Sequence, residues 1–393
     1  MTDFDFYSPT RILFGKDEEK RIGELIKPYA TKVLLHFGGG SVKKNGLYDT
    51  VVASLKEEKI GFIELGGVKP NPRISLVREG IELCRKENAD LILAIGGGST
   101  IDSAKAIAMG VYYDGDIWEV YAEGRAIDKA LPVAAILTLP AAGSESSGAS
   151  VITNEEMQLK FAYVNPRLRP LVSIINPELF FTLPEKQLAN GVADMMSHVF
   201  ERYFTNTVNT DLTDGLCEAV LKTLMKNAPL AKKDMQNYAA WAELGFAGTV
   251  AHNDLVGMGR EQDWACHDME HELSALYDVA HGAGLAVLTP GWMQYVYKHN
   301  LNMFVQFSVN VMGVESSFRD PDAIVTEGIA RLRGFFRSMG LPATLSELGI
   351  GGDRLEEMAK KATNFVSGKE QPLGGLKKLY WQDVLEIYKS VQG

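Results

Sequence analysis

The chain has 393 residues, 46% of them apolar and 23% charged, with a formal net charge of −10. That length supports two or three domains with full cores, and the acidic balance argues against a nucleic-acid partner, whose phosphates call for a basic face. No apolar run is long enough to span a membrane, the acidic start "MTDFDFYSPT" does not read as a secretory signal, and three scattered cysteines (Cys84, Cys217, Cys266) suit free thiols in a reducing compartment, so the expected location is the cytoplasm.

The first half alternates short β-rich runs with helical patterns. "KVLLHF" (32–37) ends in glycines and leads into "LYDTVVASLKEE", and "GFIEL" (61–65) precedes the turn "KPNP" and the helical "ISLVREGIELCRKEN". "DLILAI" (90–95) runs into "GGGSTIDSAKAIAMG", and "VAAILTL" (133–139) and "LVSIIN" (171–176) read as buried strands. Strands alternating with helices predict a mostly parallel sheet covered on both faces. After Asn176-Pro177 the period changes to that of helices. Thr182 and Glu185 have capping-box spacing around Pro184. Leu216, Val220 and Leu224 are expected on one helical face, and Gly340 is placed to end a helix as a C-cap. The expected fold is α/β: a dinucleotide-binding parallel-sheet domain over 1–182, then an all-helical metal-binding domain over 183–393.

Two GGGS clusters follow predicted strands, Gly38 to Ser41 and Gly96 to Ser99. Glycine lets backbone turn sharply beside a ligand, and a helix N-terminus behind it aims free N–H groups at phosphate. The second cluster fits best, with a helix expected from Thr100 to Met109. Neither spells a P-loop or G-x-G-x-x-G. Two on one sheet point to a dinucleotide. No acid follows "LLHF" to hold ribose hydroxyls; Gly39, Ser41, Lys43 and Lys44 leave room for a 2′-phosphate, which favours NADP with NAD as the other option.

Asp194 and His198 lie four apart on a predicted helix, and His267 and His271 repeat the spacing on another. His281 follows beside Gly282 and Gly284, which allow close packing around it. One carboxylate with several imidazoles suits Fe(II) or Zn(II) better than Mg or Ca. Five candidates exceed what one catalytic metal needs, since a position must stay open for substrate. Such a centre stabilises negative charge on oxygen during hydride transfer.

Together these segments resemble the iron-containing (group III) alcohol dehydrogenase family, particularly its NADPH-dependent butanol dehydrogenase and aldehyde reductase branch. The likeness runs nearly end to end, through "PTRILFG", "GGGSVKKNG", "KPNP", "GGGSTIDSAKAIA", "LTLPAAGSESSGASVIT", "NPELFFTLP", "GVADMMSH" and "DWACHDMEHELSALYDVAHGAGLA". The resemblance implies metal ligands Asp194, His198, His267 and His281, with His271 close to the substrate rather than bound to metal; there an imidazole that titrates near working pH is expected to act as the catalytic proton carrier. It implies cofactor contacts at Gly39 and Ser41 (2′-phosphate), Asn71 (adenosine), Gly97, Gly98 and Ser99 (pyrophosphate), Asp102 (nicotinamide), Thr138 and Ser144 (along the cofactor) and Lys160 (adenosine ribose). It also implies a site in the cleft between the domains and a homodimer formed through "RILFG". Ala142 stands where family members often have Thr. Short- to medium-chain uncharged aldehydes or alcohols, such as butanal and butanol, are the expected substrates, with Trp264, Leu255, Met258 and Phe200 as apolar neighbours of the ligands. Two rival readings are a glycerol-type polyol dehydrogenase of the same superfamily and an HD-type metal phosphohydrolase built on His267-Asp268.

Overall fold

The computed structural model describes residues 1–316, 320–364 and 368–393. It contains β1 (Arg11–Phe14), β2 (Lys32–Phe37), β3 (Gly61–Leu65), β4 (Leu91–Gly96), β5 (Val133–Leu137), β6 (Ala149–Asn154), β7 (Leu159–Val164) and β8 (Val172–Ile175). Six of these form a parallel sheet in the order β1-β8-β5-β4-β2-β3. Every residue of β4 ("LILAIG") and β5 ("VAAIL") is buried, as central strands covered on both faces must be. From β2 the chain crosses outward to β3, whereas from β4 it crosses the other way to β5. The order reverses between β2 and β4, and in open α/β sheets ligands bind beside the carboxyl ends of strands at such a point. Both glycine clusters follow those two strands.

"VAAILTL" was expected to be strand through 139, but β5 ends at Leu137. The Thr138 N–H makes the last ladder bond, to the Gly96 carbonyl at 3.0 Å, and Leu139 then lies over Gly97. The antiparallel hairpin β6–β7 lies outside the main sheet and answers to no expected strand. Its turn, Glu155 to Gln158, has no Gly, Pro or Asn to mark it, and Gln158 itself takes the left-handed conformation (φ 53°).

Contacts divide the chain into two units: Tyr7–Leu183 with Met235–Thr249, and Met1–Phe6 with Pro184–Asp234 and Val250–Gly393. Two segments thus depart from a contiguous division at 182/183. Residues 235–249 join the sheet unit because Trp241 packs on Phe180 (ring centroids 5.6 Å) and Gly245 lies against Phe180 and Ile175. The first six residues join the helical unit, where the Thr2 N–H donates to the Gly259 carbonyl at 2.9 Å.

Among the described residues from 184 onward there is no strand, only an isolated bridge between Leu373 and Leu379. The Glu185–Tyr203 helix begins after the expected capping box: Pro184 is its N-cap, with no side-chain cap. From Leu188 to Tyr203 the whole helix is buried. On the Asp211–Lys233 helix the buried face runs through Cys217, Val220, Leu221, Leu224 and Ala228, and Leu216 sits at its margin. Gly340 does cap the Pro321–Met339 helix in the left-handed conformation (φ 89°).

Candidate active site

A fully buried helix carrying Asp194, His198 and Glu201 has polar groups that must find partners or a ligand. Asp194 and His198 are one turn apart on it; His267 comes from the Ala265–Tyr277 helix, and His281 begins the His281–Val296 helix. Their ligand atoms converge. His267 Nε2 is 3.9 Å and His281 Nε2 3.8 Å from Asp194 Oδ1. One ligand atom from each of Asp194, His267 and His281 lies within 4.8 Å of the other two. His198 stands outside that trio but beside it, its Nδ1 3.3 Å from Asp194 Oδ1 and its ring 4.7 Å from that of His267. Asp194 Oδ1, His198 Nδ1 and His267 Nε2 are buried with no hydrogen-bond partner among the described residues. Buried acceptor and imidazole atoms that face one another without hydrogen bonds fit a divalent cation with nitrogen and oxygen ligands. Asp268, which an HD-type site would need as a ligand, is not in the trio.

Two buried carboxylates complete the arrangement, and the sequence reading passed over both. Glu201 Oε1 accepts from His267 Nδ1 at 2.8 Å and from the His267 backbone N–H at 2.9 Å. Glu270 Oε2 holds His281 Nδ1, and Ser274 Oγ donates to its Oε1 at 2.5 Å. Each Nδ1 thus keeps its proton, and each Nε2 turns toward Asp194. Carboxylates behind ligating histidines fix the tautomer and raise ligand basicity. Burial works against a charged His267, but Asp194 and Glu201 outweigh it and raise its pKa to about 9. His198 is driven the other way, well below its ordinary range, by burial first and then by His252 and His267.

Close backbone approach brings His281 in. A Cβ on Gly282 would lie 2.0 Å from the Asn190 carbonyl oxygen, and one on Gly284 would lie 2.7 Å from Glu270 Cγ. Only glycine lets these helices meet so tightly. His271, one turn beyond His267, is buried with its ring 5.8 Å from that of His281, outside the ligand trio. Trp264 reaches the cluster, 5.2 Å from His267 by ring centroids, and the Arg202 guanidinium lies over the Trp264 ring at 4.7 Å. His252, which had no spaced partner to single it out, packs 4.1 Å from the His198 ring. Phe200 is not a pocket residue; it packs into the core against Phe204 and Phe307. Two residues along a helix is a turn of about 200°, so it faces away from His198.

In the sheet unit, Gly97 is the N-cap of the Gly98–Gly110 helix, and Gly97, Gly98 and Ser99 are all partly exposed at its first turn. A Cβ on Gly98 would lie 2.7 Å from that of Ala142, so the 139–142 segment closes over the glycines. Asp102 braces the chain that follows: Ser144 Oγ donates to its Oδ1 at 2.5 Å and the Val151 N–H to its Oδ2 at 3.1 Å. Lys160 Nζ donates to Asn71 Oδ1 at 3.1 Å, joining β7 to the segment after β3. Asn71 is left-handed (φ 52°). Gly39 and Ser41 are exposed in the turn after β2, and a Cβ at Gly39 meets nothing within 4 Å. Lys43 beside them is engaged, 2.7 Å from Glu64.

Comparison with known proteins shows the family. The family description "Iron-containing alcohol dehydrogenase" matches residues 9–177, and "Fe-containing alcohol dehydrogenase family, C-terminal" matches 188–392. NADH-dependent butanol dehydrogenase A of Clostridium acetobutylicum is 47% identical over 99% of this chain and 100% of its own length. NADPH-dependent aldehyde reductase YqhD of Escherichia coli is 35% identical over 92% of this chain and 93% of its own. The crystal structure of NADH-dependent butanol dehydrogenase A from Thermotoga maritima superposes with a TM-score of 0.96 at 40% identity, covering 100% of this chain and 99% of that one. With both halves matched and relatives alike from end to end, this chain belongs to the iron-containing alcohol dehydrogenase family.

Proposed function

We propose that the protein is a metal-dependent alcohol dehydrogenase and aldehyde reductase acting on short- to medium-chain uncharged substrates such as butanal and butanol. The observation that carries this reading is the trio of buried Asp194, buried His267 and half-buried His281, with Nε2 atoms aimed at one carboxylate oxygen. In it Asp194, His198, His267 and His281 hold Fe(II) or Zn(II), residues 183–393 supply the metal's ligands, and residues 1–182 bind the nicotinamide cofactor. When bound, the metal acts as a Lewis acid on the substrate oxygen and the nicotinamide carries the hydride. Glu201 and Glu270 keep the two histidines in the ligating tautomer. His271 passes a proton between the substrate oxygen and solvent, a task suited to imidazole near neutral pH.

For the cofactor, we assign pyrophosphate to Gly97, Gly98 and Ser99, adenosine to Asn71 and Lys160, and the nicotinamide side to Asp102, Thr138 and Ser144. Gly39 and Ser41 leave the 2′ position uncontested, so the turn takes NADP(H) and admits NAD(H); relatives described as NADH-dependent and as NADPH-dependent both occur. The chain forms a homodimer through β1. In support, β1 is an edge strand, and Phe14 at its end is exposed with Phe246, their rings 6.2 Å apart. The cytoplasm is the proposed compartment, supported by three buried free thiols; among the described residues no helix is long and apolar enough to cross a membrane. The test is loss of reduced-nicotinamide absorbance with butanal, run with NADH and NADPH in parallel. Turnover with either supports the reading, and none with either cofactor in metal-loaded protein refutes it.

A further inference from the structure

Lys105 is fully buried on the Gly98–Gly110 helix, a position where a charged group needs dedicated partners. Its Nζ finds them all in one loop. It lies 2.7 Å from the Ser144 carbonyl, 2.9 Å from that of Ser147 and 2.8 Å from that of Ala149, and 2.8 Å from Ser144 Oγ. Ser144 Oγ accepts from Lys105 and spends its single proton on Asp102 Oδ1, so the hydroxyl is fixed in direction. One ammonium thus satisfies three main-chain carbonyls of the loop at once. The segment just before it, 139–142, lies against Gly97 and Gly98, so the loop's seat adjoins the glycine turn. Burial pulls the ammonium down to about 8, with Asp102 and Glu145 opposing, so the cation is held at a cost that its loop contacts must offset.

We propose that Lys105 is a positioning residue for the nicotinamide cofactor: it clamps the 144–149 loop to the helix behind the glycine turn and thereby sets Ser144 and Asp102. The inference rests on the cofactor reading given above. Lys105 touches neither cofactor nor substrate, so its removal should act on cofactor affinity and leave the metal centre alone. The experiment measures NADPH and NADH dissociation constants by protein-fluorescence quenching in metal-loaded Lys105→Met and Lys105→Gln, beside metal content per chain and KM for butanal. Expected are dissociation constants raised at least tenfold in Lys105→Met, a smaller rise in Lys105→Gln, which keeps an amide NH2 to donate, and wild-type metal content and butanal KM in both. A merely structural lysine would instead lower metal content, turnover and melting temperature together, with cofactor affinity of the folded fraction unchanged; that result overturns the proposal. Failure of both variants to fold overturns it too, by assigning Lys105 to the stability of the fold alone. Gly98→Val separates the underlying reading: if it leaves cofactor affinity intact, the cofactor assignment itself is wrong, whereas weakened binding there with normal binding in Lys105→Met refutes only the role of Lys105.

Discussion

Adding one methyl group at Gly282 should damage the metal centre without touching a ligand. The new Cβ would lie 2.0 Å from the Asn190 carbonyl oxygen and 2.7 Å from its carbon, both main-chain atoms that cannot swing aside. Restoring ordinary contact near 3.4 Å opens this helix pair by roughly 1.4 Å. His281 is the adjacent residue and Asp194 is one turn along from Asn190, so the displacement falls on the pair whose atoms lie 3.8 Å apart. Metal–ligand distances tolerate only about 0.2 Å. Gly282→Ala should therefore lose metal affinity by tenfold or more, measured by competition with a calibrated chelator. Overpacking should also cost about 1–3 kcal/mol, a fall of several degrees in melting temperature for a unit of this size. Gly215→Ala is the control: on the Asp211–Lys233 helix its Cβ meets nothing within 4 Å, and the change should stabilise by up to about 1 kcal/mol. Wild-type metal affinity and melting temperature in Gly282→Ala would refute the reasoning.

Three further outcomes are expected. Gly39→Asp has open space for its side chain, and a carboxylate near a 2′-phosphate costs about a kcal/mol or more, so the NADPH to NADH ratio of kcat/KM should fall roughly tenfold; an unchanged ratio would mean this turn does not meet the 2′ position. His271→Ala should retain full metal and NADPH binding while losing turnover by roughly ten- to ten-thousandfold, and near-normal turnover across pH would remove the proton role. His36 is fully buried, its Nδ1 donating to the Leu65 carbonyl and its Nε2 accepting from Ser103 Oγ, and burial lowers it from 6.5 to about 4. Because the unfolded chain binds the proton first, stability present above pH 6.5 is lost as pH falls toward 4, by about 3 kcal/mol. Urea midpoints at stepped pH should show this acid slope in wild type and a flatter one in His36→Gln; equal slopes would contradict it.

The parallel sheet was legible because its central strands β4 and β5 are unbroken apolar runs, a pattern that full burial on both faces produces. The β6–β7 hairpin was not, since Asn154, whose Oδ1 accepts from the Met157 N–H, is the one turn-marking residue there and β7 alternates only weakly. The i, i+4 pairs disclosed Asp194, His198 and His267, because helical spacing alone puts such residues on one face. Glu201 and Glu270 were hidden by being acids, which a sequence reading assigns to solvent by default. Only the complete burial of the 188–203 stretch shows that Glu201, seven residues beyond Asp194, points inward. Phe200 misled for the converse reason, being near the ligands in sequence and opposite them in rotation.

The central claim is that Asp194, His198, His267 and His281 hold one metal on which turnover depends. Its most direct test is metal content and NADPH-dependent butanal reduction measured on the same sample before chelation, after chelation, and after adding back Fe(II) or Zn(II), with Asp194→Ala alongside. One metal per chain, activity lost with it and regained on reloading, and neither property in Asp194→Ala is the predicted result. Full turnover in verified metal-free protein, or a fully loaded Asp194→Ala, would contradict it.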